Sequence, residues 1–362
     1  MALPAAPLDR TGSDNRSGLE ASTNGLDRAH LTRARLFAVL GALAIILLAA
    51  VIAACAFGSV HIDLVRVFTD RAGPDHAIFF AARLPRVLMA AVVGAALAAS
   101  GAALQALVRN PLAEGGILGI SGGGAFGAIL ALIAGARLGG SEAIVPLCAF
   151  GASLLSTVAV YRLAMVDGRL EPFTLLLVGV IFNSFWGAAI MIVNAMVNFY
   201  VVHSILFWLM GSFEAPTWRE IATAAVLGAI GFGALFAHAR DMNLLSLGDD
   251  AASELGVDVD RLRRAIFLWT SIMIGAAVSV SGIISFVGLI VPHMIRLALG
   301  PDHRLLLPAS FIGGAAFMIA ADLLARTIIA PAELPVGAIT ALCGGPFFVY
   351  LLRRGGKGSL WP

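Results

Sequence analysis

A chain of 362 residues in which 59% are hydrophobic and only 13% charged excludes a water-soluble globule, whose charged share is roughly 25%. A formal net charge of +2 gives no bulk attraction for nucleic acid, so the 23 arginines and one lysine are informative only by position. Cys55, Cys148 and Cys343 stand alone in apolar runs, with neither metal-ligand spacing nor a disulfide framework, and read as small buried side chains.

In chain order, residues 1–35 are rich in Asp, Arg, Ser, Asn and Gly and have little to bury, which predicts a disordered cytoplasmic tail. The first apolar run, Leu36 to Phe57, has 22 residues; that is longer than a signal-peptide core and reads as a retained anchor. "IAAC" ending at Cys55 resembles a lipoprotein processing site, but the polar leader before it and the spans after it argue against cleavage. Nine further spans are predicted at approximately 84–107, 117–136, 143–164, 173–197, 220–238, 262–282, 284–299, 305–328 and 335–352. The predicted fold class is therefore all-α, a polytopic membrane protein of about ten transmembrane helices. Its eighth span is short and holds Pro292, His293 and Arg296, while Val201 to Gly211 is too short to cross and reads as a re-entrant or interfacial helix.

Ten spans leave both termini on one side. With the termini in the cytoplasm, 17 basic residues lie inside and 7 outside, the distribution that positive-inside bias prefers. Arg83 and Arg86, in "RLPR" at the start of the second span, fall outside against that bias. Two readings stand at this point: fixed positive charge for an acidic partner, or snorkelling anchors to lipid phosphate.

Gly94–Pro111 aligns without gaps on Gly275–Pro292 at an offset of 181, half the chain. Two inverted five-helix halves would follow from such a duplication, an arrangement common among transporters, although small residues match easily here.

"GISGGGAFG", Gly119 to Gly127, satisfies both G-x-S-x-G and G-x-G-x-x-G. An intramembrane serine hydrolase would use Ser121 with His203 or His293 as base, yet no strand precedes the serine to strain and expose it. A dinucleotide cradle lacks its strand and its downstream acid. The segment reads instead as a closely packing small-residue helix. No phosphate-binding loop is present, so any ATP must be hydrolysed by another chain. An ion-coupled carrier would need ionisable groups in its spans; Asp322 and Arg326, four residues apart, read as a self-satisfied pair.

The longest internal polar stretch, "MNLLSLGDDAASELGVDVDRLRR", is expected on the cytoplasmic side. Ser246 and Asp249 have capping-box spacing, Asp250 to Leu255 can form a short helix, Gly256 can end it, and Asp258 or Asp260 can cap a second. Ala251, Ala252, Leu255 and Val257 would leave an apolar side in need of a neighbour.

"RLPRVLMAAVVGAALAASGAALQALVRNPLAEGGILGISGG", "LGDDAASELGV", "SFVGLIVPHMIRLALGPDHRLLLP" and "AELPVGAITALCGGPFFVYLL" resemble the FecCD-type permeases of ABC importers for iron-siderophores, haem and cobalamin, over about Leu36 to Arg354. The resemblance implies a permease domain over 36–354 with a coupling loop at 243–260 and a cytoplasmic tail at 355–362. It implies a homodimer in the bacterial inner membrane, with both termini cytoplasmic, two ATPase subunits beneath and a periplasmic substrate-binding protein above. It implies no catalytic residue and no cofactor or metal on this chain, ATP being used by the partner. ATPase coupling would fall to Leu247, Gly248, Ala251, Ala252, Leu255 and Gly256, and docking of the binding protein to Arg83, Arg86 and Arg326. The cytoplasmic gate would include Asn110 and Leu112 with Pro172 and Phe173, which stand in "LEPF" where relatives can carry small hydroxyl residues. Among the cargoes, an iron chelate, haem or ferric siderophore, is favoured over cobalamin.

Overall fold

In the computed structural model, which describes residues 32–138 and 143–355, helices occupy the expected spans. The chain begins with α1 (Arg33–Ala56), short α2 (Leu64–Thr69) and α3 (Pro74–Ala77), and a wide π turn (Ile78–Arg83) that leads straight into α4 (Leu84–Val108). Then come α5 (Ile120–Leu138), α6 (Ile144–Leu163), a hairpin of β1 (Met165–Val166) and β2 (Arg169–Leu170), α7 (Pro172–Ala195), α8 (Phe199–Met210) and α9 (Trp218–Ala237). The last part holds α10 (Ala239–Leu245), α11 (Asp249–Glu254), α12 (Val259–Ser281), α13 (Val287–Leu299), α14 (His303–Thr327) and α15 (Val336–Gly355). Eight of the described helices are long and apolar enough to cross a membrane. The shorter apolar stretches Val287–Leu299 (α13) and Val336–Tyr350 (within α15) take the eighth and tenth positions, and α8, with 12 residues, is the segment too short to cross.

The expected tail at 1–35 is too long by three residues, because the Thr32 hydroxyl accepts from the Arg35 N–H at 3.2 Å and starts α1 at Arg33. Residues 1–31 of that tail, and 356–362 of the C-terminal one, lie outside the described residues.

α4 is the axis of the bundle. Every residue from Val93 to Val108 is buried, and the run is mostly Ala, Gly and Leu, so neighbouring backbones come close. A Cβ on Gly94 would run into the Gly314 carbonyl of α14, and one on Gly101 into the Gly288 carbonyl of α13. Glycine is required at both positions by this approach. By contrast α1 and α7 bury little of themselves, which leaves apolar surface for lipid or for a second chain.

The internal match does not superpose like on like. Gly94–Val108 is continuous helix, whereas Gly275–Pro292 runs off the end of α12, through a non-helical break at Gly282–Phe286, and into α13. Close packing at Gly94, Gly101 and Gly288 accounts for small residues in both segments without requiring that register.

Candidate functional site

α4 stops at Arg109, which turns left-handed (φ 48), and a non-helical connector follows to Gly119. Asn110 organises its start: its Oδ1 accepts from the Leu112 N–H at 2.9 Å and its carbonyl from the Ala113 N–H at 3.1 Å, an Asx turn on a Pro-containing segment. That turn leaves Leu112 40% exposed. The β1–β2 hairpin turns on Asp167 (φ 50) and Gly168 (φ 79), an Asp-Gly pair suited to a two-residue loop. It delivers Glu171 to cap α7, accepting from the Phe173 N–H at 3.0 Å and from the Thr174 N–H. Pro172 and Phe173 are consequently in the first turn of α7. Burial pushes the Glu171 carboxyl up, but the Thr174 and Phe173 donors and the Arg263 charge outweigh it and hold the group below its ordinary range.

Asn110, Pro172 and Phe173 line one open hollow of about 580 Å³, and Arg109, Glu171, Asp249 and Arg263 put charge on the same wall. Leu112 is not part of it. The structure thus gathers three of the four residues expected at the gate, together with the first residue of α11.

α11 departs from its expected caps. Ser246 does not cap it, because its hydroxyl donates to the Asn243 carbonyl at 2.6 Å; the N-cap is Gly248 at φ 118, ψ 160, a conformation open essentially to glycine. Gly256, at φ 87, ends the helix as expected, and the Val257 N–H reaches back to the Ala252 carbonyl at 3.0 Å. Asp258, not Asp260, caps α12 by accepting from the Arg261 N–H at 2.9 Å. The second short helix is α10, which precedes α11 instead of following it. Ala252 is buried and Ala251 and Val257 are half-buried, while Leu247 and Leu255 are 66% and 60% exposed. Two leucines therefore flank α11 on its open side.

Asp249 joins this surface to the hollow. Its carboxylate lies 2.8 Å from the Arg263 Nη2 of α12 and 3.3 Å from the Arg109 Nη2 at the end of α4.

Arg83, Arg86 and Arg326 converge, but inward. Arg83, 5% exposed, donates to the Cys55 and Ala56 carbonyls at 2.9 Å and to the Val60 carbonyl, capping the C-terminus of α1. Arg326, 3% exposed, pairs with Asp322 at 3.0 Å and donates to the Ala54 carbonyl at 3.3 Å. Arg86 pairs with Asp322 at 2.9 Å and with Glu333 at 2.6 Å. The exposed charge expected from "RLPR" is in fact a buried clasp, since the unsatisfied carbonyls that end α1 and two carboxylates give the guanidinium donors fixed acceptors in place of solvent. Asp322 is shared by two arginines, a partnership wider than the single pair expected.

Ser121 is buried in the first turn of α5, after a loop and not after a strand. Around it a Cβ on Gly123 would run into Ser156, and one on Gly127 into Ala152. Close helix contact with α6 is what this glycine-rich stretch provides, and the arrangement has no strained elbow of the hydrolase kind. Among the described residues there is no group of three or more His, Cys, Asp or Glu side chains able to hold a metal ion. His76 is engaged with the Val67 carbonyl at 2.9 Å, whereas His61 and His203 are exposed.

A helical membrane protein with a closely packed glycine-rich axis, a hollow at the helix ends and a surface helix tied into that hollow has the make-up of a transport permease. Residues 45–354 match the FecCD transport family, and the chain belongs to that family. It is 44% identical over 278 residues, 75% of this chain and 72% of the relative, to the cobalamin import system permease protein BtuC of Halobacterium salinarum. It is 43% identical over 276 residues, 75% of this chain and 82% of the relative, to the hemin transport system permease protein HmuU of Yersinia pestis. Among solved structures it is similar to a chain described as a metal-chelate type ABC transporter in an inward-facing conformation, with TM-score 0.78 and 30% identity, covering 88% of this chain and 99% of the other.

Proposed function

We propose that this chain is the permease subunit of a binding-protein-dependent ABC importer, that it works as a homodimer with two ATPase subunits, and that it moves an iron chelate, haem or ferric siderophore, in preference to cobalamin. The observation that carries the reading is the tie from Asp249 to Arg109 and Arg263, which connects a surface helix bearing exposed Leu247 and Leu255 to the hollow that Asn110, Pro172 and Phe173 line. Leu247, Gly248, Ala251, Ala252, Leu255 and Gly256 form the ATPase-coupling surface; Asn110, Leu112, Pro172 and Phe173 form the cytoplasmic gate. A bulky, exposed Phe173 stands at this gate where relatives can use smaller polar residues.

The membrane is the bacterial inner membrane, with both termini in the cytoplasm, as the arginine distribution favours. A periplasmic binding protein docks at the opposite face. Arg86, whose side chain is 12% exposed, and Glu333, at 27%, offer the means: an acidic side chain of the binding protein displaces Glu333 from Arg86, while Arg83 and Arg326 hold the corner in place. ATP binding and hydrolysis in the partner then move α11, and the path opens on one side at a time. Purification with the ATPase expressed alongside tests the assembly: two copies of each chain in one complex are expected, and a permease that never retains an ATPase would sink the reading. Binding of haem, ferric siderophore and cobalamin to the partner binding protein decides the cargo.

A further inference from the structure

The connector from Arg109 to Gly119 is fixed at both ends of its first half to elements far away in sequence. At its start, Arg109 Nη2 lies 3.3 Å from the Asp249 carboxylate of α11. Five residues on, Glu114 Oε2 accepts from the Phe286 N–H at 2.9 Å. Phe286 is the N-cap of α13; it stands at φ 70 and its own side chain gives the helix no cap. Glu114 takes up the N-cap residue's own N–H from across the bundle, the bond that the N3 carboxylate of a capping box makes within a helix. The same end of α13 is held a second time, by the Gln105 Nε2–H donating to the Gly288 carbonyl at 3.1 Å.

Between these anchors the connector has little slack. The Ala113 N–H bonds the Asn110 carbonyl at 3.1 Å, and beyond Glu114 the Ile117 N–H bonds its carbonyl at 3.1 Å and the Leu118 N–H that of Gly115 at 3.3 Å. A chain folded into successive tight turns passes on a displacement that an open loop would absorb. Asn110 and Leu112 sit inside this stretch.

We infer that Arg109 and Glu114 are positioning residues that make the connector a transmission link: Arg109 takes up motion of α11 through Asp249, and Glu114 hands it to the N-terminus of the half-length helix α13, shifting the gate residues on the way. The inference rests on the importer reading, because it needs an ATPase that moves α11. Loss of a link between two moving elements changes their coupling by on the order of tenfold without abolishing what either does alone.

The test measures cargo taken up per ATP hydrolysed, in proteoliposomes holding the permease with its ATPase and binding protein. Arg109→Gln and Glu114→Ala should keep ATP hydrolysis within about twofold of the unaltered complex while uptake per ATP falls on the order of tenfold. Arg109→Lys, which keeps the charge, and Glu114→Gln, which keeps an oxygen for the Phe286 N–H, should restore uptake. Unchanged uptake per ATP in Arg109→Gln and Glu114→Ala overturns the inference, and so does a parallel fall of hydrolysis, uptake and assembly, which would make both residues merely structural. Should the unaltered complex show no ATP-dependent uptake, the importer reading fails first and takes this one with it.

Discussion

Arg86 Nη2 and Asp322 Oδ1 meet at 2.9 Å between α4 and α14, where Asp322 is 1% exposed. Asp322 is shared by two guanidinium groups, so its removal strands the buried Arg326 beside Arg86 and leaves Glu333 as the carboxylate paired with Arg86. Asp322→Asn should destabilise the detergent-solubilised chain by about 3 kcal/mol, read as an earlier thermal unfolding transition. Arg86→Gln should cost less, because Arg326 still pairs with Asp322 at 3.0 Å. Equal thermal shifts for the two variants would count against the shared geometry.

The coupling surface makes a separate prediction. Leu255 is 60% exposed, and substitutions at such positions usually change stability within about 0.5 kcal/mol. Leu255→Asp should therefore insert and fold normally yet lose ATPase on co-purification. Retention of the ATPase at ordinary levels would remove α11 from that interface.

Gly123 and Ser121 separate packing from chemistry. A leucine at Gly123 meets Ser156 of α6, and overpacking of this kind costs about 1–3 kcal/mol, so Gly123→Leu should lower the yield of folded protein and uptake together. Ser121→Ala should leave both near normal. A Ser121→Ala variant that folds but has lost all function would revive the hydrolase reading.

Glu114 gives a pH signature. Burial raises its carboxyl to about 7, against the opposing Phe286 N–H, from an ordinary 4.5. The folded chain therefore holds a proton that the unfolded chain has released, and the resulting stabilisation is full below the unfolded value and lost as pH rises through about 7. Thermal stability should fall between about pH 5 and pH 8 for this reason, and Glu114→Gln should flatten that slope. An identical slope in both would show that Glu114 is not its source.

Most of the fold was legible because span length and hydrophobicity are local properties of the chain. The break before α13 was legible only as a doubtful eighth span, since Gly282 and Pro292 mark irregularity without saying where the helix restarts. The hairpin that positions Pro172 and Phe173 carried its signal in Asp167-Gly168. What periodicity does not encode is the partner of a charge. Arg86 with Glu333, Asp249 with Arg109 and Glu114 with Phe286 are joined by tertiary packing over more than a hundred residues each. "RLPR" misled about exposure for the same reason: an arginine at a span's end can as readily satisfy a neighbouring helix's terminal carbonyls as face a partner.

The most direct test of the central claim is cargo uptake into proteoliposomes that contain this chain, its ATPase and its binding protein, with ATP supplied to the ATPase side. The account predicts uptake that requires both ATP hydrolysis and loaded binding protein and that no ion gradient can replace. Uptake driven by a proton or sodium gradient through this chain alone would contradict it.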